Sequence, residues 1–223
     1  MNPLNALLAL DTATHTASVA LVTDDGAIRA ERESKVSTHS EVVLSLVDEV
    51  LAGTPVGDLR AIACGAGPGS FTGLRIGLAT AKGLCFASGR PLVLVPSLAA
   101  LATVAPPGAL AIGCLDARKG EVFLAPYIDG EAIAAEQAAR PNDVAEVVEG
   151  FRRAAGEREV VLVGDAVSRY PELGSVGRWI VRTPPGSAVG QLAWKRLARG
   201  ETDDVDKAAP RYVRAPDITL PKP

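Results

Sequence analysis

GAGPGSFTGLRIG, residues Gly65 to Gly77, decides how this chain is read, because a glycine-proline loop breaks there straight into a helix-forming run. Upstream, RAIACG is apolar enough for a buried strand, and downstream Leu74, Leu78, Ala81 and Cys85 recur at helical spacing. The segment therefore predicts strand, tight turn, helix. Gly65, Gly67 and Gly69 allow backbone angles that a side chain forbids, and Ser70 stands where it can cap the first helical turn. With Pro68, Thr72, Gly73 and Arg75 they form a glycine loop that either cradles an anion or brings two backbones together.

Three motifs can be tested against this loop. A P-loop needs Lys-Ser or Lys-Thr after its last glycine, but Gly73 is followed by Leu74 and Arg75. A dinucleotide fingerprint needs an acidic residue about 20 positions on, and Cys85 to Pro91 offers none. A nucleophile elbow wants glycines two positions either side of the serine, where Ser70 has Pro68 and Thr72. Ser70 reads as a cap rather than a nucleophile.

With 223 residues, 48% of them hydrophobic, the chain can bury a sizeable core in one large domain or two modest ones. No apolar run approaches the ~20 residues of a membrane span, and the first residues lack the positive region of a secretory signal. No membrane association and a cytoplasmic location are expected. Cys64, Cys85 and Cys114 are odd in number, widely spaced and set among apolar residues, so buried thiols are expected rather than disulfides or zinc. A net charge of -3 argues against a broad nucleic-acid grip. Contact with RNA would be local or shared with a partner.

Leu7 to Asp11, Thr16 to Thr23 and Ala27 to Ser34 predict an antiparallel meander. Thr38 and Glu41 have capping-box spacing, and Val43, Leu46, Val47, Val50 and Leu51 trace a helix face that ends at Gly53. A strand around Ala61, the glycine loop with its helix and a strand over Pro91 to Val95 follow. That order implies a mixed sheet. Pro106, Pro107 and Gly108 mark a boundary, dividing the chain into residues 1–105 and 106–223. Beyond it the theme returns: Ala109 to Leu115, a turn over Asp116 to Gly120, Glu121 to Tyr127, and a third strand over Glu131 to Ala138. A helix capped by Asn142 through Phe151, a strand over Val160 to Val163 and a helix over Ala188 to Arg199 complete a duplicated α/β fold with a cleft between its halves. In the charged, proline-rich tail only Pro210 to Arg214 is expected to dock.

A first strand ending in Asp11-Thr12, a hairpin, a glycine loop and a doubled strand order resemble the two-lobed actin/hexokinase/Hsp70-like (ASKHA) superfamily, which closes on ATP. More closely, LLALDTATHTASVAL, His39-Ser40-Glu41, GAGPGSFTGLRIGLATAKGL, PSLAALA, DARKGEVFLAPY and PRYVR resemble the bacterial TsaB family, also called YeaZ. The resemblance implies a non-catalytic partner subunit in making N6-threonylcarbamoyladenosine (t6A), the modified base 3′ of the anticodon in tRNAs reading ANN codons. In that system TsaD, a metal-bearing paralogue, transfers threonylcarbamoyl from threonylcarbamoyl-AMP, and a TsaE-type ATPase joins the complex. The implied partners are TsaD, TsaE, tRNA through the complex, and a second copy when the chain is alone.

TsaD proteins carry two His four apart on one helix, which lets neighbouring turns share a metal. Ser97 and Leu101 stand at those places, and neither His15 nor His39 has a ligand set at metal spacing, so no catalytic residue and no metal site are expected. The superfamily's phosphate hairpin normally includes a glycine, whereas Asp11-Thr12-Ala13-Thr14 has none. Asp11 and Thr12 are either a vestigial nucleotide site, binding ATP or ADP weakly or only within the complex, or residues that build the turn. The resemblance places partner docking on the first two helices, with Val43, Leu44, Val47, Leu74, Gly77, Leu78 and Ala81 as candidates. Gly73, Gly77 and Ala81 form a small-residue strip, which faces a partner or the chain's own interior. Arg152-Arg153, Lys195-Arg196, Arg199, Lys207, Arg211 and Arg214 read as solvated faces rather than a tRNA path. The alternative function is an ATP-dependent small-molecule kinase with Asp11 as base or metal anchor. A peptidase finds no Ser-His-acid set here.

Overall fold

The computed structural model describes residues 4–35 and 39–213, so the capping residue expected at Thr38 lies outside the described residues. β1 (Ala6–Asp11), β2 (Thr16–Thr23) and β3 (Ile28–Lys35) form the expected antiparallel meander. β1 is buried along its whole length, which is why it reads as an unbroken apolar run. β3 is the charged edge, and its Arg and Glu side chains discourage pairing with another chain. β4 (Ile62–Gly65) joins β1 in parallel and β5 (Leu92–Val95) joins β4 in parallel, giving the order β3-β2-β1-β4-β5.

α1 (His39–Leu51) and α2 (Phe71–Ser88) cover one face of this sheet. Val43, Val47 and Val50 from α1 and Leu78, Ala81 and Cys85 from α2 meet Leu8, Leu10, Val19 and Ile62 from the strands. Ser70 caps α2 as expected, its Oγ accepting from Gly73 N at 3.3 Å.

The second half repeats the first strand for strand. β6 (Leu110–Arg118) and β7 (Glu121–Ile128) are antiparallel, while β10 (Val160–Val163) joins β6 and β11 (Arg178–Ile180) joins β10, both in parallel. The third strand is split into β8 (Glu131–Ala132) and β9 (Gln137–Ala139), each paired with β7. The break falls opposite Pro126, which has no N–H to donate to a continuous ladder. The strand expected over Glu131 to Ala138 is corrected accordingly. α4 (Val144–Ala155) is preceded by a 3-10 turn over Pro141–Asp143, so Asp143 rather than Asn142 occupies the cap position. The β6–β7 turn is also tighter than the expected Asp116 to Gly120, with β6 running on through Arg118.

The helix that follows each half's last strand crosses to the other half's sheet. α3 (Ser97–Ala102), after β5, lies on β6 and β7, and α6 (Gly186–Ala198) lies on β1 and β2. Both crossings demand small residues, since a Cβ at Gly113 would sit 2.7 Å from Leu98 O and one at Gly190 would sit 2.6 Å from Val22 Cγ2. α3 is buried on every side, so SLAALA shows no amphipathic period. Truncating a core side chain such as Leu101, fully enclosed there, costs about 2–5 kcal/mol. A short helix, α5 (Ala166–Arg169), follows β10.

Candidate functional site

β1 delivers Asp11 to the point where both halves meet, and no part of the residue reaches solvent. Its Oδ1 accepts from Ala13 N at 2.7 Å, and its Oδ2 accepts from Ser97 Oγ at 2.6 Å. Ser97 Oγ in turn accepts from Gly67 N at 3.2 Å. Burial pushes the Asp11 carboxyl up to about 6, the bonds from Ser97 and Ala13 offsetting part of that rise. Thr12 is equally enclosed and donates its hydroxyl to Gly73 O at 2.8 Å. Asp11 thus holds the turn through Ala13 N, and Thr12 ties it to the first turn of α2.

The glycine loop closes over this hairpin. A Cβ at Gly69 would lie 2.3 Å from Ala13 O, at Gly73 2.1 Å from Thr12 O, and at Gly77 2.1 Å from Thr12 Oγ1. At Gly65 it would meet Asp11 Oδ2 at 1.8 Å, and Gly67 (φ +101°) lies under Leu74 and the carbonyl of Arg211. The loop amides are turned inward: Ala66 N donates to Val95 O, Ser70 N to Ala13 O and Leu74 N to Ser70 O. Of the two uses the loop's shape allows, the geometry is that of two backbones brought together. Pro68, joined to Gly67 by a cis peptide bond, is buried, whereas Thr72 is exposed.

Between the halves a cleft of about 480 Å³ is lined by His15 from the first half and by Asp116, Arg118, Lys119, Asp165 and Tyr170 from the second. Asp116 lies near the end of its central strand, at the irregularity before Arg118, and Arg118 N donates to Asp116 Oδ1 at 2.9 Å just as Ala13 N does to Asp11 Oδ1. Here the carboxylate remains at the cleft, with Tyr170 donating to it at 3.3 Å. Asp165 accepts from Asp116 N at 3.1 Å, and burial raises its carboxyl above the usual range. His15 is exposed and contacts Arg118 across the cleft. Asp11 and Thr12 do not line this space. Among the described residues no group of three or more His, Cys, Asp or Glu stands where it could hold a metal ion.

Arg75 has a role that the sequence did not reveal. Its guanidinium lies 3.8 Å over the Phe71 ring, and Nε donates to Tyr212 Oη at 3.2 Å, while Phe71 and Tyr212 are themselves 5.5 Å apart. The tail docks well before Pro210. Asp203 N donates to Leu92 O at 2.8 Å, Leu94 N donates to Asp203 Oδ2 at 2.7 Å, and Arg211 N donates to Ala66 O at 2.8 Å. The edge of β5 is thus covered, and Arg211 continues to Glu136 in the second half at 3.5 Å. Arg214 lies outside the described residues.

The family described as "TsaD: tRNA N6-adenosine threonylcarbamoyltransferase" matches residues 33–216. TsaB of Escherichia coli (strain K12), named a tRNA threonylcarbamoyladenosine biosynthesis protein, is 34% identical, over 93% of this chain and 94% of that protein. The chain belongs to the TsaB branch of this family. YeaZ from Pseudomonas aeruginosa superposes with a TM-score of 0.75 at 28% identity, covering 94% of this chain and all of that one. EutJ from Carboxydothermus hydrogenoformans, 13% identical, shares the fold alone, with a TM-score of 0.56 over 86% of this chain and 91% of that one. The architecture is that of the ASKHA class, a duplicated mixed sheet flanked by helices.

At the places where the resemblance puts the TsaD histidines, this TsaB-branch chain has Ser97, bonded to Asp11, and Leu101, buried among Leu98, Leu115 and Phe123. The candidate partner positions need correcting. Val43, Val47, Leu74, Gly77, Leu78 and Ala81 are buried in the chain's own core; of the small-residue strip, Gly73 and Gly77 face the Thr12 hairpin and Ala81 packs in the same core as Leu8 and Leu10. Leu44 (53% exposed) does face outward, as does Phe86 (64% exposed), which the sequence reading passed over. The basic residues are largely ion-paired within the chain: Arg152 with Glu149, Arg196 with Glu201 and Asp203, Arg199 with Glu201, Lys207 with Asp204.

Proposed function

We propose that this chain is the non-catalytic partner subunit of the complex that transfers threonylcarbamoyl from threonylcarbamoyl-AMP to N6 of the adenosine 3′ of the anticodon in tRNAs reading ANN codons. Family membership supports the pathway. The observation that carries the non-catalytic reading is the enclosure of Asp11, whose two carboxylate oxygens are engaged by Ala13 and Ser97. An ATP–metal group does not fit this hairpin, because the glycine loop packs against the carbonyls of Thr12 and Ala13 where phosphates would need to approach. This packing supports weak nucleotide binding at the hairpin, or binding there only at the level of the complex, and it leaves the small-molecule kinase reading without a free base.

The TsaD-type paralogue docks on the outward faces of α1 and α2, around Leu44 and Phe86, and a second copy of the chain covers the same faces when the paralogue is absent. Two large apolar side chains exposed on adjacent helices support this surface. The TsaE-type ATPase and tRNA join through the complex, in the cytoplasm. Among the described residues no helix is long and apolar enough to cross a membrane. Residues 1–105 and 106–223 are the two lobes. ATP hydrolysis by the purified chain, supplied with Mg²⁺ or Zn²⁺, is the test: background rates are expected, and robust turnover by the chain alone overturns the non-catalytic reading.

A further inference from the structure

At the end of the first sheet opposite Asp11, the starts of β4 and β5, the β2–β3 turn and one side of α6 enclose a groove of about 1000 Å³. Arg60 enters it from just before β4, Arg90 from just before β5 and Lys195 from α6. Where Arg152, Arg178, Arg182, Arg196, Arg199, Lys207 and Arg211 each meet a carboxylate, Arg60, Arg90 and Lys195 have none among the described residues. Arg90 is half-buried, and its Nε is shut off from solvent with no hydrogen-bond acceptor. A buried donor left in that state is costly.

The acids on the groove are already engaged locally. Asp24 accepts from Asn5, and Asp25 Oδ1 accepts from Thr23 Oγ1 at 2.5 Å and Ala27 N at 3.1 Å. Trp194 and Leu197 add apolar lining, and Trp194 Nε1 is anchored to Val22 O at 3.0 Å. Two guanidinium groups and an ammonium lining one groove with an aromatic ring match the chemistry of a phosphate attached to a base or sugar.

We propose that this groove is a phosphate-recognising site, in which Arg60, Arg90 and Lys195 donate to the phosphate oxygens of a nucleotide-class ligand. The phosphate belongs either to an RNA backbone or to a free mononucleotide. The proposal does not depend on the t6A reading, since a chain outside that pathway would still bind phosphate here.

The test is binding of fluorescently labelled tRNA, labelled ATP and inorganic phosphate to the purified chain, to the exposed-residue variants Arg60→Ala and Lys195→Ala, and to Lys195→Arg. Thermal melting checks that the variants fold. At least one probe is expected to bind, with the alanine variants weaker by about tenfold and Lys195→Arg retaining binding. If tRNA binds and the small probes do not, the source is an RNA backbone, and each alanine change lowers the salt slope by about one. Binding of ATP or phosphate identifies the mononucleotide source. No binding by any probe, or equal binding by wild type and both alanine variants, overturns the proposal. Loss of t6A on depletion of the chain, measured separately, would leave the pathway reading standing even then.

Discussion

Ser97 Oγ donates to Asp11 Oδ2 at 2.6 Å, joining the end of the first central strand to the helix that crosses onto the second sheet. The bond sits in a wholly buried place, where the carboxylate has protein donors and no contact with bulk solvent. It makes Asp11 part of the joint between the halves.

Stability should carry the mark of that burial. The folded carboxyl titrates at about 6 against an ordinary value of 3.8, so between those pH values the native state holds more protons than the unfolded one. Stability from this group is therefore fully present below about pH 4 and is lost as pH rises through 6. Asp11→Asn removes that slope and raises stability at pH 8 by up to about 3 kcal/mol. Urea unfolding at pH 5 and pH 8 measures it, and a variant less stable than wild type at pH 8 would contradict the account.

Two glycines of α2 should behave in opposite ways. Gly73→Ala places a methyl 2.1 Å from the Thr12 carbonyl, a backbone atom with no room to retreat, and costs about 3 kcal/mol or more. Gly83 has nothing within 4 Å of its would-be Cβ, and Gly83→Ala stabilises by up to about 1 kcal/mol through helix propensity. Denaturant midpoints of the two variants decide this, and equal shifts would count against a sealed hairpin.

The first meander, the capped α2 and β10 were legible because each is an apolar run or stripe bounded by turn chemistry. β11 and α5 were missed because three or four residues cannot establish a period, and α3 carries no moment because it is buried all round. The strip Gly73, Gly77 and Ala81 looks the same whether it receives a partner's helix or the chain's own hairpin, so its direction needed coordinates. Arg75 and Tyr212 lie 137 positions apart, and nothing local to either announces the other.

Arg211 should hold the tail across the two halves. Glu136 is partly buried, burial raises its carboxyl above the usual range, and Arg211 lowers it again. Arg211→Met leaves that acid without its counter-charge and costs about 1–2 kcal/mol, because half of the arginine faces solvent. Glu136→Gln should relieve much of that loss, giving a coupling near 1 kcal/mol in a double-mutant cycle. Additive losses would show that the pair does not bind the tail.

Leu44→Asp and Phe86→Asp should leave the fold intact, since both side chains face solvent, and should abolish association with a TsaD-type partner and with a second copy. Light scattering and co-purification with unchanged melting temperature are the expected result. Retained association in both variants would move the interface elsewhere.

The central claim is tested most directly by mass-spectrometric nucleoside analysis of tRNA from cells depleted of this chain and re-expressing either wild type or Asp11→Asn. The account predicts that threonylcarbamoyladenosine disappears on depletion and returns with both proteins, because Asp11 has a structural role and no chemistry. Unchanged modification on depletion would contradict the pathway, and rescue by wild type alone, with Asp11→Asn folded, would contradict the non-catalytic reading.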